Sequence, residues 1–158
     1  MPTIVIGADT PLGLSITRAL IRASPEVRCF VSDAEAGTAL KAEGVKVAVG
    51  DVSDRSHVGA AALTAYCAVL VGEAAVDARE RSFAESPSAV LVAWAAALHE
   101  AAITRALWVG ARLEEPDVLR AGVAEFLEVS TQGLSTSEVV AAVVVADSAL
   151  SSDFARQD

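Results

Sequence analysis

Short runs of β-branched and other apolar residues recur along the chain, and each is followed by a stretch with helical periodicity. Thr3 to Ile6 is such a run; it stops at Gly7 and reads as a buried strand. Thr10-Pro11 then opens a helix, with Thr10 suited to the N-cap and Pro11 to the first helical position. Leu12, Ile16, Ala19, Leu20 and Ala23 form its apolar stripe, and Ser24-Pro25 stops it. The alternation predicts further strands over Val27–Val31, Val45–Val49, Cys67–Val71, Ala106–Val109 and Phe126–Val129. Between them it predicts helices over Ala34–Glu43, Asp54–Ala65 and Ala89–Ala102, and helical turns over Pro116–Ala121. A last helix starts at Ser135 or Ser137 and runs to about Leu150. The charged stretch Asp77–Arg81 and the pair Ser86-Pro87 predict a loop or short surface helix.

Strands alternating with helices imply an α/β fold. The expectation is a single doubly wound domain over residues 1–150, with a mostly parallel sheet of about six strands flanked by helices. Residues 151–158 read as a frayed tail. A hydrophobic content of 53% supports a real core, and aromatics at only 4% mean that Ala, Val and Leu must build it.

In such folds phosphate binds at the first strand–turn–helix, which here reads Ile6-Gly7-Ala8-Asp9-Thr10-Pro11-Leu12-Gly13. On these residues the chain resembles the atypical short-chain dehydrogenase/reductase superfamily, especially its NmrA-like and flavin-reductase-like members, whose fingerprint is G-A-T-G-x-x-G after a strand. Gly7 and Gly13 match the outer glycines, and Ala8 and Leu12 also fit. Asp51-Val52 resembles the family's Asp-hydrophobic pair near the adenine. Ala101–Arg105 is similar to its A-x-x-A-G-V-K-R approach to strand five, and Leu119–Val123 to its L-R-A-S-G-V turn. Gly133–Val140 is similar to its late G-x-I-S-x-x-D-V-A helix start.

The resemblance implies a Rossmann-type fold with NAD or NADP as cofactor. Its cofactor-binding positions would be Gly7, Ala8, Asp9, Thr10, Leu12, Gly13, Ser32, Asp33, Asp51, Val52 and Gly72. Ser32 stands where relatives that bind NADP place an arginine. Asp33 follows it, and its carboxylate suits either the ribose hydroxyls of NAD or the cap of the next helix.

The departures bear on function. Thr10 replaces the middle glycine, and its hydroxyl can take an N–H that a phosphate would use. Pro11 removes another N–H, and Asp9 adds a negative charge. A capped helix that binds nothing is the competing reading, so the cofactor is NAD, NADP or none. The family's usual Tyr-x-x-x-Lys pair and serine are absent: the single tyrosine, Tyr66, has Leu70 four residues on, Lys41 and Lys46 both precede it, and Gly110-Ala111 follow strand five. Carbonyl reduction by that triad is excluded, and no catalytic residue is assigned.

Three functions stay open. The chain is a non-catalytic regulator or redox-state sensor that binds a nicotinamide dinucleotide, a small NAD(P)H-dependent flavin- or quinone-type reductase, or an interaction domain with a degenerate site. The first is the leading expectation, because the Gly7/Gly13 scaffold is retained while the Tyr, Lys and Ser are lost; the residues after strand five also leave little for a substrate lobe.

A net charge of −9 argues against nucleic acid. His57 and His99 read as surface residues with no third ligand at metal spacing, and Cys29 and Cys67 as buried free thiols. The N-terminus lacks a basic region, and the apolar stretch Ala89 to Leu98 is too short to span a bilayer, so a cytoplasmic protein without membrane contact is expected. The helix Ala89–Ala102 is apolar almost all round, which predicts a homodimer through it, or else cover from the chain's own C-terminal segment.

Overall fold

A computed structural model describes residues 1–24, 26–78 and 81–154. Six strands form one sheet in the order β3-β2-β1-β4-β5-β6: β1 (Thr3–Ile6), β2 (Val27–Val31), β3 (Lys46–Val49), β4 (Cys67–Val71), β5 (Arg105–Gly110) and β6 (Glu125–Ser130). Every pairing is parallel. The strand order reverses between β1 and β4, and the crevice outside their C-terminal ends is where such sheets bind ligands.

Alternate residues of each strand feed two cores. Ile4, Ile6, Phe30, Leu70 and Ala106 pack against α3 (Arg55–Ala62) and α5 (Pro87–Glu100), with α4 (Gly72–Val76) and α6 (Asp117–Arg120) at the margin. Val5, Cys29, Val31, Val69, Leu107 and Val109 pack against α1 (Pro11–Ala23), α2 (Ala34–Ala42) and α7 (Thr136–Ser148). Cys29 and Cys67 lie within this second core as free thiols, and burial pushes the Cys29 thiol up to about 12.

The expected helices are present with shifted ends. Asp33 caps α2, and Gly44 follows it at φ 89°. Asp54 caps α3, which stops at Ala62 rather than Ala65. Ser86 caps α5, so that helix begins at Pro87 rather than Ala89. Ser135 caps α7.

Two expectations need correction. Gly72 does not simply end β4; it begins α4, a single turn that the sequence reading left out. The tail begins as a helical turn, α8 (Ser151–Phe154), held where Phe154 lies 4.1 Å from the buried Arg105 guanidinium. Pro25, the pair Arg79-Glu80 of the charged stretch, and tail residues 155–158 lie outside the described residues.

Part of the apolar surface of α5 is covered by α3 and by the turn that follows α6. A Cβ on Gly59 of α3 would rest 3.8 Å from that of Ala97, and one on Gly122 would stand 2.8 Å from the Ala95 carbonyl oxygen. Of the large aliphatic and aromatic side chains on this helix only Val92 is exposed. Among the described residues no helix is long and apolar enough to cross a membrane.

Candidate functional site

The first crossover turn is built around two glycines. Gly7 has φ 90°, and its N–H and that of Ala8 both donate to the Phe30 carbonyl at the end of β2, at 3.0 and 3.3 Å. This pins the turn to the sheet and buries Ala8 completely. Gly13 is required by contact rather than by conformation: a Cβ there would stand 2.0 Å from the Gly7 carbonyl oxygen.

Thr10 works as a cap. Its hydroxyl accepts from the Gly13 N–H at 3.0 Å and donates to the Gly7 carbonyl at 2.8 Å. Pro11 has no N–H to offer. Among the described residues, the amides of Asp9 and Leu12 are the donors of this turn without a protein acceptor. The turn thus offers an anion two free N–H groups, fewer than an all-glycine turn would give.

The Asp9 carboxylate turns away from that turn. Its Oδ2 accepts from the Ser32 N–H at 3.0 Å, the Ser32 hydroxyl at 2.9 Å and the Asp33 N–H at 3.1 Å. Asp33 itself caps α2, accepting from the Glu35 N–H at 3.1 Å.

Asp51 and Val52 sit beyond β3. Asp51 Oδ1 accepts from the Ser53 N–H and hydroxyl at 2.8 and 2.5 Å, and its Oδ2 from the Ser82 N–H at 2.6 Å. Burial pushes this carboxyl up, but the hydrogen bonds from Ser53 and Ser82 outweigh it and hold the group below the usual carboxylate range. Val52 is wholly buried, and its carbonyl accepts from the Trp94 indole at 2.7 Å. The structure thus brings Gly7 through Gly13 together with Ser32 and Asp33, while the side chains of Asp51 and Val52 are engaged elsewhere.

Gly72 opens instead onto a cleft of about 510 Å³ at the C-terminal ends of β4 and β5. Leu12 of the first turn forms one end, and Val76, Leu91, Val92, Leu113 and Val118 give it an apolar lining. Trp108 is buried in the core, as read from sequence, and its ring also forms part of the wall; Glu73, Arg112, Glu114 and Glu115 lie on the border. A smaller hollow of about 280 Å³ adjoins it, sharing Leu12, Glu73 and Thr131. Sequence reasoning missed this cleft; the glycines at the ends of adjacent strands, Gly72 and Gly110, signal only the close approach of another group, which is the Trp108 ring.

Tyr66 lies at the opposite end of the sheet, with its hydroxyl 3.2 Å from Glu125 and 3.1 Å from Ser151. Lys46 sits at the start of β3, 3.5 Å from Glu26. His57 is half-buried rather than free at the surface, edge-on to Phe30 at 5.1 Å, whereas His99 is exposed. Among the described residues no cluster of His, Cys, Asp and Glu could hold a metal.

No protein-family model and no curated protein matches this sequence. Solved structures do. A wide-type short-chain dehydrogenase/reductase from Veillonella parvula DSM 2008, in complex with NADP, is 13% identical with a TM-score of 0.73, over 97% of this chain and 90% of that one. ChuY, an anaerobillin reductase from Escherichia coli O157:H7, is 16% identical with a TM-score of 0.68, over 94% and 91%. Triphenylmethane reductase from Citrobacter sp., complexed with NADP(H), is 15% identical with a TM-score of 0.66 over 81% of this chain. The chain has the Rossmann fold of these reductases. This Rossmann domain spans about half the triphenylmethane reductase, 48% of it, but nearly the whole of the other two.

Proposed function

We propose that this protein binds a nicotinamide dinucleotide across the crevice and reduces a flat, apolar acceptor held in the neighbouring cleft. The observation that carries this reading is the cleft itself, about 510 Å³ and mostly apolar, running from Leu12 of the phosphate turn to α5 and α6. It answers the objection that the chain is too short for a substrate lobe, because the domain's own helices wall a site of ligand size. The solved structures that share the fold include an anaerobillin reductase and a triphenylmethane reductase, which supports an acceptor of the same general kind.

The residues present fit the dinucleotide in part. The Asp9 and Leu12 amides would face the pyrophosphate, while Gly7 holds the tight turn, its missing Cβ leaving room for Ala74 of α4. When bound, a reduced nicotinamide supplies hydride, so no protein nucleophile is needed. Leu91, Val92 and Leu113 would exclude water from one side of the acceptor and orient it by shape. Glu73, Arg112, Glu114 and Glu115 make the border polar, and water held there would supply the proton that a tyrosine supplies in other reductases.

A second reading, a non-catalytic regulator or redox-state sensor, is favoured by one observation: Thr10 and Pro11 leave the turn fewer donors than a strong pyrophosphate site uses. One set of measurements separates the two. The purified protein is titrated calorimetrically with NADH and NADPH, and loss of reduced-nicotinamide absorbance is followed with quinone, flavin, linear tetrapyrrole and triarylmethane acceptors. The reductase reading expects turnover with at least one acceptor, and Val92→Trp, at an exposed cleft position, should raise KM or abolish turnover without loss of folding. Binding without turnover leaves the sensor. No binding at all defeats both and leaves an interaction domain.

A further inference from the structure

We infer that Asp9 is a built-in specificity residue that reserves the adenosine end of the crevice for a dinucleotide with a free ribose 2′-hydroxyl and rejects a 2′-phosphate. The inference rests on the dinucleotide reading above and goes beyond it by naming which dinucleotide the site takes.

The end of β2 is where this fold meets the adenosine ribose. Here three donors converge on one oxygen. The Ser32 N–H, the Ser32 hydroxyl and the Asp33 N–H all reach Oδ2 of Asp9, at 3.0, 2.9 and 3.1 Å. Two successive backbone N–H groups and a hydroxyl aimed at one point are what an anion site consists of. The chain fills that site with its own carboxylate, delivered from the phosphate turn 23 residues earlier.

A 2′-phosphate arriving there would find the donors taken and a negative charge in its place. Asp33 adds a second carboxylate alongside, fixed by the Glu35 N–H. No cation on β2 offsets them: its only basic residue, Arg28, is held by Glu26, the Leu63 carbonyl and Thr64. A ribose hydroxyl is different, because it is neutral and can donate to a carboxylate. The Asp9–Ser32 contact therefore tolerates NAD and opposes NADP.

The test measures Kd by calorimetry for NADH and NADPH, and for AMP and adenosine 2′,5′-bisphosphate as fragments that report the adenosine end alone. The variants are Asp9→Ala, Asp9→Asn and the pair Asp9→Ala with Asp33→Ser, each checked for folding by its melting temperature. Wild type should prefer NADH to NADPH by about tenfold or more. Asp9→Ala should collapse that ratio by releasing the Ser32 and Asp33 donors. Asp9→Asn, which keeps an acceptor oxygen in place, should collapse it less, and the double variant should collapse it most. The fragments should follow the same order.

Wild type binding NADPH as well as NADH overturns the inference while leaving the dinucleotide reading intact. An unchanged ratio in Asp9→Ala overturns it too, since discrimination would then belong to other residues. Absence of binding by either dinucleotide and both fragments removes the inference together with the reading it rests on.

Discussion

The indole of Trp108 occupies the space that a side chain on Gly72 would need: a Cβ there would stand 2.7 Å from ring atom Cζ2. A Cβ on Gly110 would stand 3.1 Å from the same ring atom, and the indole N–H donates to the Ala111 carbonyl at 2.9 Å. The wall of the cleft is thus set by one tryptophan seated between two glycines. Gly72→Ala should force the ring to move, at a cost of about 1–3 kcal/mol in stability. The displaced ring should alter cleft binding and shift the indole emission. Trp94, the only other tryptophan, is fully buried and bonded to the Val52 carbonyl, and its ring lies 6.5 Å from that of Trp108, so the emission reports the pair and both rings should sense the displacement. Unchanged emission and melting temperature would mean that the ring is not held by this contact.

The first crossover turn allows a paired prediction. Gly13→Ala places a Cβ against the Gly7 carbonyl oxygen at 2.0 Å, so α1 must move off the turn. A loss of about 3 kcal/mol or more is expected, with broad unfolding. Thr10→Gly is the opposite case. It gives up the hydroxyl cap at a cost of a few tenths of a kcal/mol. In return the Gly13 N–H, now spent on Thr10, becomes available to a pyrophosphate. Dinucleotide affinity should rise several-fold in Thr10→Gly. A fall would show that the Thr10 hydroxyl serves the ligand and not the helix.

Much of this was legible from local pattern. The six strands follow from apolar runs, because a parallel sheet covered on both faces needs strands apolar on both sides. Gly7, Thr10 and Gly13 declared themselves because a turn and its cap are short-range events. Ser86-Pro87 is the same N-cap and first-position pair as Thr10-Pro11, and it does begin α5; its place beside a charged stretch disguised it as a loop. What could not be read depends on residues distant in sequence. The Asp9 carboxylate meets Ser32 only because β1 and β2 are neighbours, and the cleft is assembled from α4, α5, the β5–α6 segment and Leu12. The tail looked frayed because nothing in Ser151–Phe154 signals that its partner is a buried arginine.

Ala102 illustrates a departure from the family pattern with a measurable cost. It stands at the glycine of the A-x-x-A-G-V-K-R resemblance, and it adopts φ 55°, the left-handed region that favours glycine. An alanine held there costs about 1 kcal/mol. Ala102→Gly should therefore raise stability by roughly that amount, read as a higher urea midpoint with unchanged slope. No gain would mean that the greater freedom of glycine in the unfolded chain offsets the relief of strain.

The end of the sheet away from the crevice holds a buried ion pair whose pH dependence can be worked out. Arg105 is 1% exposed and Glu125 8%. Arg105 Nε donates to Glu125 at 2.7 Å, and its Nη1 donates to the Ala146 and Asp147 carbonyls that end α7. Tyr66 and Phe154 lie against the guanidinium at 5.3 and 4.1 Å. Burial pushes the Glu125 carboxyl up, but hydrogen bonds from Ser151, Arg105 and Tyr66, with the arginine's charge, outweigh it and leave it below its ordinary value. A carboxyl lowered in the folded state stabilises the fold above its unfolded value and loses that contribution as pH falls through the folded one. Removing one partner of a buried pair leaves the other charge uncompensated, so Glu125→Gln should cost about 3 kcal/mol near neutral pH. In acid the wild type protonates the same carboxyl, and the gap to Glu125→Gln should narrow steadily below about pH 4.5. Urea unfolding of both proteins across that range measures the gap directly. A difference that stays constant into strong acid would show that Glu125 holds Arg105 by shape and hydrogen bonding alone, with its charge contributing nothing to stability.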